Sequence, residues 1–176
     1  MPRCSARDGA SSRPPSSALR LCARAEGQLV NNPLQQGRAG TATEALQACV
    51  AAEHVAVWAY GIVGAHLEPE ARLEARATWD SHRARRDRVA QLLRDREAPA
   101  PASEPGYALP YAVTDATTAR RLAADVESGV AAAYADLVLT AGGELRRFAA
   151  LSLQEAAVRA ARWSGGTEAF PGITER

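Results

Sequence analysis

The sequence contains no lysine and no long run of apolar residues, and its net charge is close to zero. All 21 basic side chains are arginine, and 20 acidic residues leave a formal net charge of +1. Because a nearly neutral chain lacks the broad basic face that neutralises phosphates, we expect no nucleic-acid partner. No apolar run approaches the roughly 20 residues of a membrane span, and the first residues lack the apolar core of a secretory signal. We therefore expect no membrane partner and a cytoplasmic location.

Cysteine and aromatic residues are also scarce. Cys4, Cys22 and Cys49 are an odd, widely spaced set that fits neither a disulfide framework nor a zinc site, which favours a reducing compartment. Aromatic residues make up 5% of the chain, whereas alanine supplies much of its apolar content. This composition favours closely packed helices over a sheet, and 176 residues suit one domain. The sequence therefore predicts a single all-α domain.

The two ends of the chain differ in composition. Residues 1–40 are rich in Ser, Pro, Gly and Arg without a periodic apolar face, so we predict a disordered tail there. The tail is similar in composition to an organelle transit peptide, and a misassigned translation start is the alternative. Residues 41–176 are predicted to form the helical domain.

Four segments of the domain repeat residues at steps of three and four, the pattern of bundle helices. The predicted stripes are, in chain order, Leu46, Cys49, Glu53, Ala56, Tyr60, Val63 and Leu67; Ala75, Thr78, His82, Arg85, Val89 and Leu92; Ala123, Glu127, Val130, Tyr134, Leu137 and Ala141; and Phe148, Leu151, Glu155, Val158 and Arg162. The first predicted helix begins near Thr41 or Thr43 and ends near Leu67, and the second runs from about Glu70 to Glu97. The third starts after Thr114 or Asp115 as its cap and reaches Ala141, and the fourth runs from about Glu144 to Trp163. The proline-rich segment Ala98–Thr114 cannot be helical throughout. Extended, it could cover roughly 50 Å, longer than any of these helices.

Two short-looped hairpins joined by one long crossover match the topology of ferritin-like four-helix bundles. The segment EHVAVWAY, Glu53 to Tyr60, resembles ESGVAAAY, Glu127 to Tyr134, at equivalent places of the two hairpins. The apolar residues that punctuate the crossover are its predicted anchors on the bundle: Tyr107, Leu109 and Tyr111.

Each predicted apolar stripe carries one ionisable residue, and counting from the turns places all four at a similar depth. These candidate metal ligands are Glu53, His82, Glu127 and Glu155. Carboxylates and imidazole in a dry core are costly unless they are paired or bind a cation, and they suit iron, manganese or zinc. The first hypothesis is therefore one divalent metal, with phenols donating to the ligating carboxylates from Tyr60 and Tyr134.

Other interpretations of the same residues stay open. Arg85 and Arg159 could lean inward and close the polar layer with salt bridges, which would make the domain a metal-free structural or interaction bundle, for instance a homodimer. A small-ligand pocket near Tyr60 and Tyr134 is a third hypothesis. Cys49 is predicted to pack as a small apolar residue, with a thiolate ligand as the alternative. Two groups complete the predictions: surface histidines, His54 and His66, and packing aromatics, Trp58, Trp79, Trp163 and Phe170.

Several words of the sequence together resemble one family. AAEHVAVWAYG, SHRARRD, YALPYAVTD, AAYADLV, EAAVRAARWSGG and AFPG, spread over residues 43–172, are similar to the bacterial ferritin-like family catalogued as domain of unknown function 4439. The resemblance implies a ferritin-like bundle without an assigned activity. Compared with the wider di-iron superfamily, Trp79 stands where a glutamate precedes His82, and Val158 where a histidine follows Glu155. Because the paired ligand motifs are incomplete, we predict no oxygen-activating di-iron chemistry and leave any enzymatic role open.

Overall fold

The structure is a computed structural model that describes residues 40–165. Within this range all regular secondary structure is helical, in four helices: α1 Ala42–Ala65, α2 Pro69–Arg94, α3 Ala116–Thr140 and α4 Gly143–Ser164. The prediction of an all-α four-helix bundle is confirmed. The predicted tail up to Ala39, and Phe170 near the other terminus, lie outside the described residues.

The helix ends follow from local chemistry. Thr41 and Glu44 form a reciprocal capping box at the start of α1, with each side chain accepting from the other residue's backbone N–H. Pro69 occupies the first turn of α2, where no backbone N–H is needed. The Asp115 carboxylate caps α3, and Gly165 ends α4 in a left-handed conformation. Each helix therefore begins or ends at a residue whose type suits that position.

The helices form two antiparallel hairpins, α1–α2 (the first hairpin) and α3–α4 (the second hairpin). Trp79 of α2 donates its indole N–H to the Val57 carbonyl of α1 at 2.9 Å, and Arg146 of α4 bonds the Val138 carbonyl of α3 at 3.1 Å. Helices α1 and α3 pack directly on each other and join the hairpins.

The crossover between the hairpins begins along α1. Gln47 donates to the Pro99 carbonyl at 2.9 Å, and the His54 Nε2 atom lies 3.2 Å from the Pro101 carbonyl oxygen. The crossover therefore runs in the same direction as α1. His54, predicted to lie on the surface, is half-buried because the crossover covers it.

The predicted anchors of the crossover contact the bundle. The Tyr107 ring packs edge-on against Trp58 with centroids 5.7 Å apart, and Leu109 and Tyr111 pack against the apolar core. The Tyr111 hydroxyl donates to Asp125 of α3 at 2.6 Å. The crossover thus follows the bundle surface from α1 to α3, as predicted.

The predicted stripes of the first three helices face the core. Every stripe position of α1 and α3 is buried, from Leu46 to Leu67 and from Ala123 to Ala141. In α2 the stripe is buried from Ala75 to Val89, but at its end Leu93 is buried in place of the predicted Leu92.

The predicted stripe of α4 is wrong by one position. Leu151 and Val158 are 53% and 44% exposed, and Glu155, from the same stripe, points outward too. The face that packs inward consists mostly of small side chains: Ala149, Ser152, Ala156, Ala160 and Trp163. Small side chains let two helix backbones approach closely, and of the described helix pairs α3 and α4 have the most extensive backbone contact. Close approach, rather than side-chain hydrophobicity, selects the inner face of α4.

Among the helices of the described range, α1 alone is long and apolar enough to cross a membrane, with a mean hydropathy of 1.4 in its most apolar window. Half of that window is buried inside the bundle, and Glu53 lies in the same helix with no exposed surface. Its packing between α2 and α3 accounts for the apolar composition of α1.

Candidate functional site

Six charged residues from all four helices meet between the hairpins, and we call them the core polar layer. They are Glu53 of α1, His82 and Arg85 of α2, Glu127 of α3, and Glu155 and Arg159 of α4. The layer brings together all four residues predicted as metal ligands, and it also includes the two arginines predicted to lean inward. Within the layer, Glu53 and Glu127 are fully buried, whereas Glu155 is exposed.

His82 is the centre of the layer. Its Nδ1 atom lies 2.7 Å from Glu53 Oε2 and its Nε2 atom 3.1 Å from Glu127 Oε1, and all three side chains have no exposed surface. An ionised carboxylate can only accept hydrogen bonds. Because both ring nitrogens face a carboxylate, the arrangement favours a doubly protonated imidazolium that bridges the two hairpins.

The pKa shifts agree with this protonation state. Burial alone would lower the pKa of His82, but hydrogen bonds to Glu127 and Glu53 and the charges of both carboxylates raise it above its ordinary value of 6.5. For Glu127 burial acts to raise the pKa, but the hydrogen bond and charge of His82, with help from Arg159 and Tyr60, lower it below 4.5. The pair is therefore held as imidazolium and carboxylate.

Two tyrosines cross between the hairpins to reach the carboxylates. The Tyr60 hydroxyl of α1 donates to Glu127 of α3 at 2.7 Å, and the Tyr134 hydroxyl of α3 donates to Glu53 of α1 at 2.8 Å. The predicted donor role of both tyrosines agrees with this geometry, although each serves the carboxylate of the opposite hairpin. Burial and the nearby carboxylates raise the pKa of both hydroxyls, so both stay protonated and act as donors.

The two arginines lie between Glu155, the outer carboxylate, and the two inner glutamates, Glu53 and Glu127. Arg85, only 9% exposed, donates to Glu155, and its Nη1 atom lies 3.7 Å from Glu53 Oε1. Arg159, 14% exposed, donates from Nε to Glu127 Oε1 at 2.8 Å and lies 3.8 Å from Glu155. This geometry agrees with the alternative interpretation, in which both arginines lean inward.

Glu155 does not reach the buried centre of the layer. Its side chain is 58% exposed, and its contacts within the layer are with Arg85 and Arg159. The prediction that Glu155 faces the core is wrong, because helix α4 turns the small residue Ala156 inward instead. Glu155 closes the outer side of the layer.

A single offset relates the two hairpins. Glu53 and Glu127, Tyr60 and Tyr134, and Arg85 and Arg159 are each 74 positions apart (127 − 53), and the members of each pair occupy matching places in the layer. The same offset matches buried positions of α2 with those of α4: Ala75 with Ala149, Thr78 with Ser152, and Val89 with Trp163. His82 breaks the repeat, because its equivalent is Ala156.

Cys49 packs inside the core one turn from Glu53. It is a free, buried thiol whose Sγ atom lies 3.4 Å from the Ala133 carbonyl. Burial, followed by the charge of Glu53, raises the pKa of the thiol well above its ordinary value. A thiol that keeps its proton is a poor metal ligand, so the geometry agrees with Cys49 as a small packing residue.

The side chains of the layer are a poor fit for a metal ion. Both ring nitrogens of His82 face carboxylates, and guanidinium groups lie between Glu155 and the two inner glutamates. Within residues 40–165, no group of three or more His, Cys, Asp or Glu side chains is arranged to hold a metal ion. A cation in the layer would also have to lie close to two arginines.

Comparisons with known proteins identify the family without an activity. The profile described as Domain of unknown function (DUF4439) matches residues 45–175. The solved structure of a conserved hypothetical protein, rv2844, from Mycobacterium tuberculosis is 37% identical to this chain with a TM-score of 0.69, and the match covers 73% of this chain and 98% of that one. No curated protein matches the chain. The family predicted from the sequence words is thereby confirmed, and the chain belongs to the DUF4439 family.

Proposed function

We propose that the domain is a metal-free structural bundle of ferritin-like descent, in which the core polar layer locks the two hairpins in one register. The observation that carries this proposal is the closure of the layer by Arg85 and Arg159, whose guanidinium groups contact all three carboxylates. With His82 as imidazolium, three cations face three carboxylates, so the layer is neutral without an added ion. We propose no catalytic role for any of its residues.

The layer also supports this proposal through the direction of its bonds. The hydroxyls of Tyr60 and Tyr134 each bond a glutamate of the other hairpin. His82 contacts Glu127 of the other hairpin and Glu53 of α1. A one-turn slip of α3 along α1 would break both tyrosine bonds and the bond from His82 to Glu127, and each buried carboxylate would keep fewer donors, which is unfavourable. A buried charged layer thus specifies register more than it adds net stability.

Replacing Glu127 with alanine separates this proposal from a metal centre. In the metal-free protein, the substitution removes the partner of the nearly buried Arg159 and of His82, so we expect the free energy of unfolding to fall by roughly 3–5 kcal/mol. If the layer were a metal site, the metal-free variant would be as stable as the wild type or more stable, and the wild type would bind about one equivalent of metal.

The measurements are urea unfolding of both proteins and calorimetric titration of the metal-free wild type with iron(II), manganese(II) and zinc(II). Glu74→Ala, at an exposed position of α2, is the matched control and should leave stability nearly unchanged. Stoichiometric uptake of any of the three ions that is lost in Glu127→Ala would overturn the proposal.

Self-association through α4 is a second candidate function. The outward face of α4 carries the exposed Leu151 and Val158. Glu144 lies near one end of the same helix and Arg162 near the other, so an antiparallel second copy would pair opposite charges. This arrangement supports a homodimer that buries the α4 face.

Light scattering after size-exclusion chromatography tests the homodimer. We expect Leu151→Glu to convert a dimer to a monomer, because a charge at the centre of an apolar contact is costly to bury. Leu139→Glu, at a position of α3 that is 78% exposed, is the control and should leave the mass unchanged. A wild type that stays monomeric over a wide concentration range would contradict this candidate.

A further inference from the structure

The core polar layer contains buried polar atoms that have no hydrogen-bond partner among residues 40–165. Arg85 Nη1 is the one near Glu53, and on the Glu127 side they are Glu127 Oε2, Arg159 Nη2 and Trp163 Nε1. The Trp163 indole also faces the Tyr60 hydroxyl. Glu127 is fully buried and Trp163 is 6% exposed. Leaving such atoms unpaired is unfavourable, most of all for a charged group. An uneven distribution of donors around the two carboxylates explains why they are unpaired.

The two inner glutamates differ in how their oxygens are used. Glu53 accepts from Tyr134 on Oε1 and from His82 on Oε2. Glu127 accepts three bonds on Oε1, from Tyr60, Arg159 and His82, and none on Oε2. The residue that would serve Glu127 Oε2 by the 74-residue repeat is Ala156, the equivalent of His82. A methyl group replaces the imidazole there, so the donor is missing.

The two unpaired donors lie beside the same carboxylate. Arg159 Nη2 belongs to the guanidinium group whose Nε atom is 2.8 Å from Glu127 Oε1. The Trp163 ring packs against Tyr60 with centroids 6.5 Å apart, and the Tyr60 hydroxyl is 2.7 Å from the same oxygen. In the first hairpin, Val89 stands at the position of Trp163 and brings no polar atom. All three unpaired atoms therefore belong to the environment of Glu127.

We propose that one buried water molecule binds in this environment, accepting from Arg159 Nη2 and Trp163 Nε1 and donating to Glu127 Oε2. The ligand must both accept and donate, which water does with up to two bonds of each kind. A metal cation could not accept the two N–H bonds, and an anion would face the Glu127 carboxylate without a proton to donate. The water replaces the imidazole that the repeat would place at position 156.

A crystal structure of the full chain at a resolution that reveals ordered solvent tests the proposal directly. We expect one solvent peak about 2.7–3.2 Å from each of the three atoms. A structure in which no peak is present, and the Trp163 indole N–H bonds directly to the Tyr60 hydroxyl, would overturn the proposal.

Nuclear magnetic resonance tests the same site in solution. We expect the Trp163 indole proton, assigned by its loss in Trp163→Phe, to show a cross peak to a long-lived water. The indole proton of Trp79, which already donates to the Val57 carbonyl, is the control and should show no such cross peak. Absence of the cross peak at Trp163 in a folded, fully assigned sample would contradict the proposal even if no crystals were obtained.

Discussion

At the scale of single residues, Tyr60 and Tyr134 both donate to glutamates of the core polar layer, but the two glutamates differ in how much they depend on the tyrosine. Glu53 Oε1 accepts a close bond from Tyr134 at 2.8 Å, and its next donor, Arg85, is 3.7 Å away. Glu127 Oε1 would retain His82 and Arg159 if Tyr60 were removed. We expect Tyr134→Phe to lower the free energy of unfolding by roughly 1.5–3 kcal/mol and Tyr60→Phe by about 1 kcal/mol or less.

Urea unfolding of the two phenylalanine variants measures this difference. Both substitutions keep the ring and its packing, so each variant serves as the control for the other. Equal losses in the two variants would show that the hydroxyls contribute through burial rather than through the carboxylates that they contact.

His82 and Glu127 should also give the protein a characteristic dependence of stability on pH. The pKa of His82 is raised by folding, so its contribution is complete below the unfolded value of about 6.5 and is lost as the pH rises through the folded value. The pKa of Glu127 is lowered, so its contribution is complete above about 4.5 and is lost as the pH falls through the folded value. We expect the highest stability between these limits.

Urea unfolding midpoints measured from about pH 4 to about pH 9 test this dependence, because this range extends well to both sides of the unfolded histidine pKa. In His82→Gln, which cannot be protonated, we expect a less stable protein whose midpoint no longer falls on the alkaline side. His66→Gln, which replaces the half-buried histidine directly after α1, is the control. A wild-type midpoint that does not change above pH 6.5 would contradict the imidazolium bridge.

The convergence of Glu53, His82 and Glu127 could be predicted because counting residues from the turns fixes depth along a helix. The order of bonds among them could not be predicted in this way. Depth does not reveal that each tyrosine reaches the opposite hairpin, or that His82 contacts both carboxylates. Those contacts depend on the packing of α1 against α3, which no local pattern encodes.

At the scale of helices, α4 shows why a hydrophobic stripe can mislead. Leu151 and Val158 of the predicted stripe lie outward, whereas the inner face consists mostly of alanine and serine, with Trp163 at its end. Hydrophobicity alone favoured the wrong face. The 74-residue repeat would have found the right one, because it aligns Ala75 and Thr78 of α2 with Ala149 and Ser152 of α4. That alignment requires a comparison of both helices of each hairpin. The short match of Glu53–Tyr60 with Glu127–Tyr134 covers only α1 and α3, so it does not show which face of α4 packs inward.

The crossover should contribute to stability through its three anchors. Replacing Tyr107, Leu109 and Tyr111 together with serine removes a ring contact with Trp58, apolar burial and a hydroxyl bond to Asp125. We expect the free energy of unfolding to fall by a few kcal/mol, since each partly buried side chain contributes about 1 kcal/mol or more. Thermal unfolding measures the loss.

A triple variant with serine at Ala102, Glu104 and Ala108, all exposed in the same segment, is the matched control. If the two triple variants were equally stable, the crossover would not contribute through its anchors.

At the scale of the whole molecule, the helical domain should fold without the segment that precedes it. The first helix is capped by Thr41 and Glu44, which bond each other. We expect a chain that starts at Thr41 to keep the helical circular dichroism and the melting temperature of the full chain. Thr41→Ala in the full chain, which removes the cap side chain, should cost about 1 kcal/mol and shows the sensitivity of the measurement. A large drop in melting temperature on truncation would show that residues 1–40 pack on the domain.

The distribution of charge between the hairpins has a consequence for synthesis on the ribosome. The first hairpin contributes one carboxylate and two cations to the core polar layer, and the second contributes two carboxylates and one cation. A nascent chain that has released only the first hairpin therefore holds an uncompensated positive charge where the bundle has none. The carboxylates that neutralise His82 and Arg85 lie 45 and 70 residues further along the chain, at Glu127 and Glu155. We therefore expect the two hairpins to complete their fold together, after the second has left the ribosome.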